Sequence, residues 1–314
     1  MTSNASSAQQ LASVDPVMPS APKTALPTNA CDAHAHVFGP YDEFPLTEVA
    51  SYPPPLAPAA LYAEMLSTLG ATRGVLVQPA PYGTDARPML DALRRNDGRV
   101  RGIAVATADT SEAALQHLFD EGIRGLRFVE MRDPQGNPYK GSVGVEQLKL
   151  LAPVMKKIGL HAQLWASCDD YARILPELVP LGLTLVLDHM ACVKVERGID
   201  DPSFKSLLVW LEKGAIWIKL SVCRVSRAAP TYADLRPFHD ALVATNSSRL
   251  LWGSDWPFVR MGEQSPDVGD LLDLFYAWVP DPARRQQILV DNPALLYGFS
   301  DAGKDDSSPD SAGA

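Results

Sequence analysis

From residue 30 onward the chain alternates between two hydrophobic patterns. Short, nearly continuous apolar runs recur at Ala30–Val37, Gly74–Gln78, Gly102–Ala106, Gly125–Phe128, His161–Ala166, Thr184–Asp188, Trp217–Leu220 and Leu250–Gly253. Runs this short and this apolar suit parallel strands covered on both faces. Amphipathic stretches fill the gaps. Ala57–Leu69 carries Leu61, Met65 and Leu69 at helical spacing, Asp85–Arg95 follows Thr84 as an N-cap, and Ser111–Glu121 opens on Ser111 as its own cap. Further helices are predicted at Gly144–Lys157, Asp169–Leu181, Asp201–Lys213, Tyr232–Thr245, Pro266–Trp278 and Asp281–Leu289, with a short last one at Pro293–Tyr297 capped by Asn292. Strand–helix units recurring roughly every 30 residues predict a (β/α)8 barrel of the TIM type. The competing doubly wound sheet wants a Gly-rich turn after its first strand, and none is present.

With no internal repeat or linker, residues 29–300 read as one barrel domain. It is flanked by a Ser-, Ala- and Pro-rich arm, 1–28, and a polar, acidic tail, 301–314, both expected to be disordered. The 314 residues are 46% hydrophobic and 21% charged, a globular composition, and the net charge of −9 provides no footprint for nucleic acid or an anionic membrane. Cys31, Cys168, Cys192 and Cys223 are far apart and form no CxxC pair, as expected of free thiols in a reducing cytoplasm. Residues 1–28 lack the basic and apolar regions of a signal peptide, and no apolar run approaches the ~20 residues that span a bilayer. The expected partner is a small molecule, and the expected assembly a monomer or small homo-oligomer.

Barrel enzymes place their chemistry at the C-terminal ends of the strands. His34 and His36 stand two apart at the end of strand one, so both imidazoles face one side. His189 follows strand six and Asp255 follows strand eight. Three imidazoles and a carboxylate converging on one rim form a ligand set for zinc or a similar divalent ion with an open position for water. Asp255 could instead be a general base. Asp188, beside His189, is expected to point the other way and be structural. His117 and His239 lie mid-helix as surface or packing residues, and His161 opens strand five as a core histidine near the barrel floor. Arg127 shares the inward face with Gly125, so it needs an anion: a substrate carboxylate or sulfonate, or an internal partner such as Glu130. Arg224, just past strand seven, reads the same way, whereas Arg132 sits in a loop and is solvated. Tyr52 and Tyr82, in Pro-rich loops, either donate to substrate or pack. Trp165, at the end of strand five, reads first as packing.

Asp32-Ala-His-Ala-His-Val-Phe-Gly-Pro40, Val77-Gln78 with Tyr82-Gly-Thr-Asp85, Gly125-Leu-Arg-Phe128, Asp188-His-Met190, Trp217-Ile-Lys219 and Trp252-Gly-Ser-Asp-Trp-Pro257 resemble the amidohydrolase superfamily, in its amidohydrolase 2 branch. The resemblance runs from about residue 30 to residue 299. It implies a (β/α)8 barrel that hydrolyses the lactone of a small anionic intermediate of aromatic-compound degradation, of the pyrone-dicarboxylate or 4-sulfomuconolactone kind. It implies Asp255 as the base, and His34, His36 and His189 as carbonyl-polarising groups or metal ligands. One zinc ion is expected, with Asp255 as its fourth ligand, and metal-independent catalysis is the alternative. Arg127, Arg224 and Tyr52 match substrate-contacting positions, and Tyr82 and Trp165 complete the substrate set. The chain departs from the pyrone-dicarboxylate pattern at three places: Trp165 replaces a tyrosine, Ala191-Cys192 replaces Gly-Arg, and Ala80 replaces a serine. These departures favour a sulfonated muconolactone. Arg127 on strand four stands where binuclear relatives carry lysine, which implies a mononuclear site or none. A metal-dependent decarboxylase of a small aromatic or unsaturated acid is the alternative activity, though Trp165 stands where such enzymes carry a further histidine. A non-catalytic small-acid binder is the third reading.

Overall fold

The apolar runs form eight strands: β1 Cys31–Ala35, β2 Arg73–Val77, β3 Val100–Ala104, β4 Ile123–Val129, β5 His161–Trp165, β6 Leu185–Leu187, β7 Ile216–Lys219 and β8 Leu250–Leu251. The computed structural model describes residues 15–47, 52, 54–133 and 135–300. Each strand pairs in parallel with the next, in sequence order. Backbone bonds join β1 to the stretch after β8: Ala33 N–H to Trp252 O (3.0 Å), Asp255 N–H to His34 O (2.8 Å) and His36 N–H to Trp256 O (2.8 Å). The expected (β/α)8 barrel is therefore the fold.

Helices follow the strands: α1 Ala59–Leu69, α2 Arg87–Arg94, α3 Glu112–Asp120, α4 Val145–Ile158, α5 Cys168–Leu178, α6 Pro202–Glu212, α7 Arg236–Asn246 and α8 Val268–Trp278. A π-turn then joins α9 Pro282–Gln286 to α10 Asn292–Tyr297. Ser111 caps α3 as expected, accepting from Ala114 N–H. The other two predicted caps do not form. Asp85, not Thr84, accepts at the start of α2, from Arg87 N–H at 3.1 Å. Asn292 lies inside α10, and its amide spans to Ser247 O (2.8 Å) and Leu250 O (2.7 Å), tying the helix to β8.

Period-two alternation sorts the strand residues into two cores. Leu76, Leu126, Phe128, Leu164, Leu187 and Ile218 face the helices, while Val75, Val77, Ile103, Val186, Trp217 and Leu251 fill the barrel with Tyr297 and Phe299. His161 is the core histidine expected, edge-on to Tyr297 at 5.6 Å. It fits because residue 125 is glycine: a Cβ there would lie 2.6 Å from its ring. Part of the arm expected to be disordered is docked instead. Val17 O accepts from the Trp256 indole N–H (3.0 Å), Ser20 N–H reaches Asp267, and Lys23 N–H reaches Asp273 on α8. Residues 1–14 and 301–314, the rest of that expectation, lie outside the described residues.

His239, on α7, is buried against Trp278 at 5.0 Å and Phe275 at 6.4 Å, and burial pushes its imidazole down to about 4. The unfolded chain therefore binds a proton there that the folded one does not between pH 6.5 and 4, so stability falls as pH drops through that window. In His239→Leu, the loss of unfolding free energy between pH 7 and pH 5, read from urea midpoints, should shrink by about 2 kcal/mol. An unchanged acid loss would show that His239 is not its source.

Candidate active site

A bulge in β1 aims the first two histidines. Cys31 pairs with Arg73 and Asp32 with Gly74, yet Ala35 pairs with Leu76, so one extra residue is inserted between them. Strict alternation from Ala33, which is interior, would turn His34 toward the helices; the inserted residue turns His34 and His36 into the barrel instead. Gly253 packs against them so closely that a Cβ would lie 2.7 Å from His34 Cβ. Asp32 fastens the seam. Its Oδ1 accepts from Ser254 N–H (2.8 Å) and His34 N–H (3.2 Å), and its Oδ2 accepts from Ser254 Oγ (2.7 Å). Asp255 follows at once, with a left-handed φ of 67°.

Asp255 Oδ1 lies 3.6 Å from His34 Nε2, 3.5 Å from His36 Nε2 and 4.0 Å from His189 Nε2, and Arg224 Nε donates to Asp255 Oδ2. The four residues expected to converge do so. Burial pushes the Asp255 carboxyl up, but Arg224, His189, His36 and His34 outweigh it and hold it well below the usual range. Burial lowers all three histidines, His189 to about 4, so near neutral pH each is an uncharged imidazole.

His36 Nδ1 is 2.7 Å from Val77 O, an acceptor only, so the proton is on Nδ1 and the Nε2 lone pair faces Asp255. Two acceptors facing each other at 3.5 Å, with His34 Nε2 buried and unpaired beside them, suit a cation between them. Two ligands of a tetrahedral zinc stand about 3.3 Å apart, so His34, His36 and Asp255 fit a divalent ion, with His189 in reach. His34 also fits metal-free chemistry. Its Nδ1 is 3.3 Å from both Asp188 Oδ1 and Lys219 Nζ. A proton on Nδ1 pairs with Asp188 and leaves Nε2 as a ligand; donation from Lys219 leaves Nε2 as an N–H donor.

The network beneath His34 corrects one expectation and adds two residues. Asp188 is not turned away: it continues the inward face of Val186, and its Oδ2 accepts from Gln163 (3.2 Å). Lys219, fully buried, donates to Gln163 Oε1 at 2.7 Å, and burial lowers it to about 8. Both Lys219, at the end of β7, and Gln163, in the middle of β5, are polar residues of inward parity, which is the signal that would have found them. His189 turns inward because His189, Met190, Ala191 and Cys192 all take left-handed φ values.

The cavity above Asp255 encloses about 270 Å³ and is lined by Tyr52, Arg127, Trp165, Arg224 and residues of the outer loops. Arg127 Nη1 donates to Gln78 O (3.2 Å) and its guanidinium lies over Trp165 at 5.7 Å. Glu130 is not its partner, because Glu130 Oε1 accepts from Val145 N–H at the start of α4. Trp165 does more than pack: it forms cavity wall, edge-on to His189 at 6.2 Å. Tyr82 does not line the cavity. Its buried hydroxyl accepts from Gly39 N–H (2.8 Å) and its ring stacks on Phe38, so it fixes the exit of β1. Arg132 lies in its loop, donating to Gly136 O, as expected. Tyr139, Ser142, Arg227, Arg260 and Gln264 also line the cavity; they sit on loops whose register no periodicity reveals.

Residues 31–299 match the amidohydrolase family model. The chain is 34% identical to the 2-pyrone-4,6-dicarboxylate hydrolase of Comamonas testosteroni, over 89% of this chain and 93% of that one. It is also 34% identical to the 4-sulfomuconolactone hydrolase of Rhizobium radiobacter, over 87% and 91%. A Pseudomonas putida crystal structure, assigned as a 2-pyrone-4,6-dicarboxylic acid hydrolase, superposes with a TM-score of 0.75 at 31% identity, covering 88% of this chain and 99% of that one.

Asp32→Ala would leave the Ser254 and His34 donors without their acceptor and loosen the seam. It should lower stability by about 2–4 kcal/mol and turnover at least tenfold, whereas Ser254→Ala should cost about 1 kcal/mol. Denaturant midpoints and kcat check this; an Asp32→Ala protein within about 0.5 kcal/mol of the parent would remove the clamp from the account.

Proposed function

The chain belongs to the amidohydrolase family, and we propose that it hydrolyses the lactone ring of a small anionic intermediate of aromatic-compound degradation, of the 4-sulfomuconolactone or pyrone-dicarboxylate kind. The observation that carries the reading is Asp255: a buried, ionised carboxylate facing three uncharged imidazoles at the floor of a cavity lined by buried Arg127 and part-buried Arg224.

A water against Asp255 Oδ1 gives its proton to the carboxylate as its oxygen attacks the lactone carbonyl carbon. Charge developing on the carbonyl oxygen is met by an imidazole N–H, with Lys219 behind His34 orienting that proton. The ring C–O bond then breaks, and the departing oxygen takes the proton back from Asp255. Arg224, bonded to Asp255 Oδ2 and to Val259 O, keeps the carboxylate ionised and aimed. Arg127 and Tyr52 meet the substrate's anionic group; burial raises the Tyr52 hydroxyl, so it stays protonated and donates. Trp165 supports the ring face. If a divalent ion such as zinc is bound, His34, His36, His189 and Asp255 would hold it, and it would supply Lewis-acid polarisation and a more acidic water.

Among the described residues no helix is long and apolar enough to cross a membrane. Four unpaired cysteines support a reducing, cytoplasmic setting.

Asp255→Asn keeps the side chain's volume and removes the base. It should lower lactone opening by about 10³-fold or more while far-UV circular dichroism stays unchanged. The rate is followed by loss of ring absorbance over the two lactone classes, with carbon dioxide release as the control for decarboxylation. Near-normal turnover by the variant would take Asp255 out of the mechanism.

A further inference from the structure

One wall of the cavity is an aromatic stack with a cation against each ring. Tyr139 and Trp165 lie with centroids 5.4 Å apart at an interplanar angle of 18°. Arg127 sits over Trp165 at 5.7 Å, and Arg260 sits over Tyr139 at 5.4 Å. Arg127 is buried beside the hydrolytic centre; Arg260 is exposed. The chain is acidic and pairs most exposed arginines with carboxylates, as in Arg87–Asp85, Arg94–Glu121 and Arg173–Asp170. Arg260 has no such partner among the described residues. Neither has Arg227, which lines the same cavity and gives Nη1 to Gln264 Oε1 at 3.4 Å.

The placement of Arg260 is tied to the hydrolytic centre. Asp255, Phe258 and Arg260 all take left-handed φ values, 67°, 59° and 67°, on one loop. Phe258 N–H bonds Asp255 O and Met261 N–H bonds Phe258 O, each at 3.0 Å. Arg224 donates to Asp255 and, at 2.6 Å, to Val259 O, one residue before Arg260. Non-glycine residues hold this conformation only where their surroundings impose it, and such residues cluster at functional sites. A guanidinium stacked on a tyrosine keeps its N–H edge open to a carboxylate or sulfonate.

We propose that Arg260, held on Tyr139, is the specificity residue for a second anionic group of the substrate, with Arg227 and Gln264 as supporting donors. The site then selects lactones with two separated anions, one met by Arg127 in the interior and one by Arg260 at the opening. This rests on the lactone-hydrolase reading. An exposed charge acts mainly on capture, so its signature is in KM and salt dependence rather than in kcat.

The test compares Arg260→Gln with the parent on a dianionic lactone and on a monoanionic lactone of the same ring. For the dianion, kcat/KM should fall about five- to tenfold through KM, with kcat within about twofold and the monoanion unaffected. The parent's loss of kcat/KM between about 20 and 200 mM NaCl should flatten in the variant, and Arg260→Lys should recover part of it. Equal losses on both lactones, or none on the dianion, would overturn the assignment. Calorimetry with benzene-1,3-dicarboxylate and benzoate gives a second readout that needs no turnover. A preference of about fivefold or more for the dicarboxylate, abolished in Arg260→Gln, supports the assignment even if no lactone is opened, an outcome that would defeat the hydrolase reading alone. A parent with no such preference defeats the assignment alone.

Discussion

The C-terminal end of this barrel depends on one carboxylate, Asp32, that does not line the cavity. β8 contributes only Leu250 and Leu251 to the ladder, too little to close the sheet unaided. Asp32 makes up the difference by accepting Ser254 N–H, Ser254 Oγ and His34 N–H, so that β1 and the loop after β8 are held as one piece. Burial pushes its pKa up to about 6, against the lowering effect of those same donors. Everything that follows along both segments inherits the join. The bulge turns His34 and His36 inward, Gly253 allows the close approach, and the left-handed turn at Asp255 brings its carboxylate up against the histidines.

Electrostatics then decides what the cluster can do. Two buried carboxylates meet three cations: Lys219 and Arg127 approach Asp188, and Arg224 donates to Asp255, while Asp32 is held by uncharged donors. Burying any of them alone would cost several kcal/mol, and paired they offset most of it. Burial, helped by Lys219 near His34 and by Arg224 and Arg127 near His189, outweighs the nearby carboxylates, so the histidines stay neutral and keep one lone pair and one N–H each. Which end of His34 carries the proton is set by Asp188 and Lys219, both 3.3 Å from its Nδ1. One histidine can thus be a ligand or a donor with no change of fold, which is why ligand spacing alone does not distinguish metal-bound from metal-free catalysis.

The fold was legible because it follows from periodicity, and the four central residues because they stand at the C-terminal ends of the strands. Apolar runs at regular spacing require the barrel, and polar residues at strand ends must then converge on its rim. The same rule, carried further, reaches Gln163 and Lys219, whose inward parity matches Arg127 and Trp217. Asp188 and His189 defeat it: alternation puts neighbours on opposite faces, but the chain leaves β6 in a left-handed turn and both side chains face inward. The β1 bulge is equally hidden, since one inserted residue leaves no mark in an apolar run. Tyr82 and Tyr52 both lie near prolines, and only the fold shows that one holds Gly39 while the other lines the cavity. Arg227, Arg260 and Tyr139 lie on loops, where no period exists to place a side chain.

Those loops line the outer part of the cavity. Ala80 lines the cavity without a side-chain donor, and burial raises the Cys192 thiol to about 12, so it stays neutral. Neither position offers an anion a charged partner. Trp165, with no hydroxyl, presents an aromatic face instead, and that face gains Tyr139 on one count and Arg127 on another. The cavity thus carries one arginine braced on an aromatic ring at a strand end, Arg127, and one on an outer loop, Arg260. The hydrolytic centre is clamped by Asp32 and aimed by Arg224. A rigid seam leaves the loops above it free to vary, and here a single loop, from Asp255 to Arg260, joins the buried carboxylate to an exposed guanidinium at the cavity.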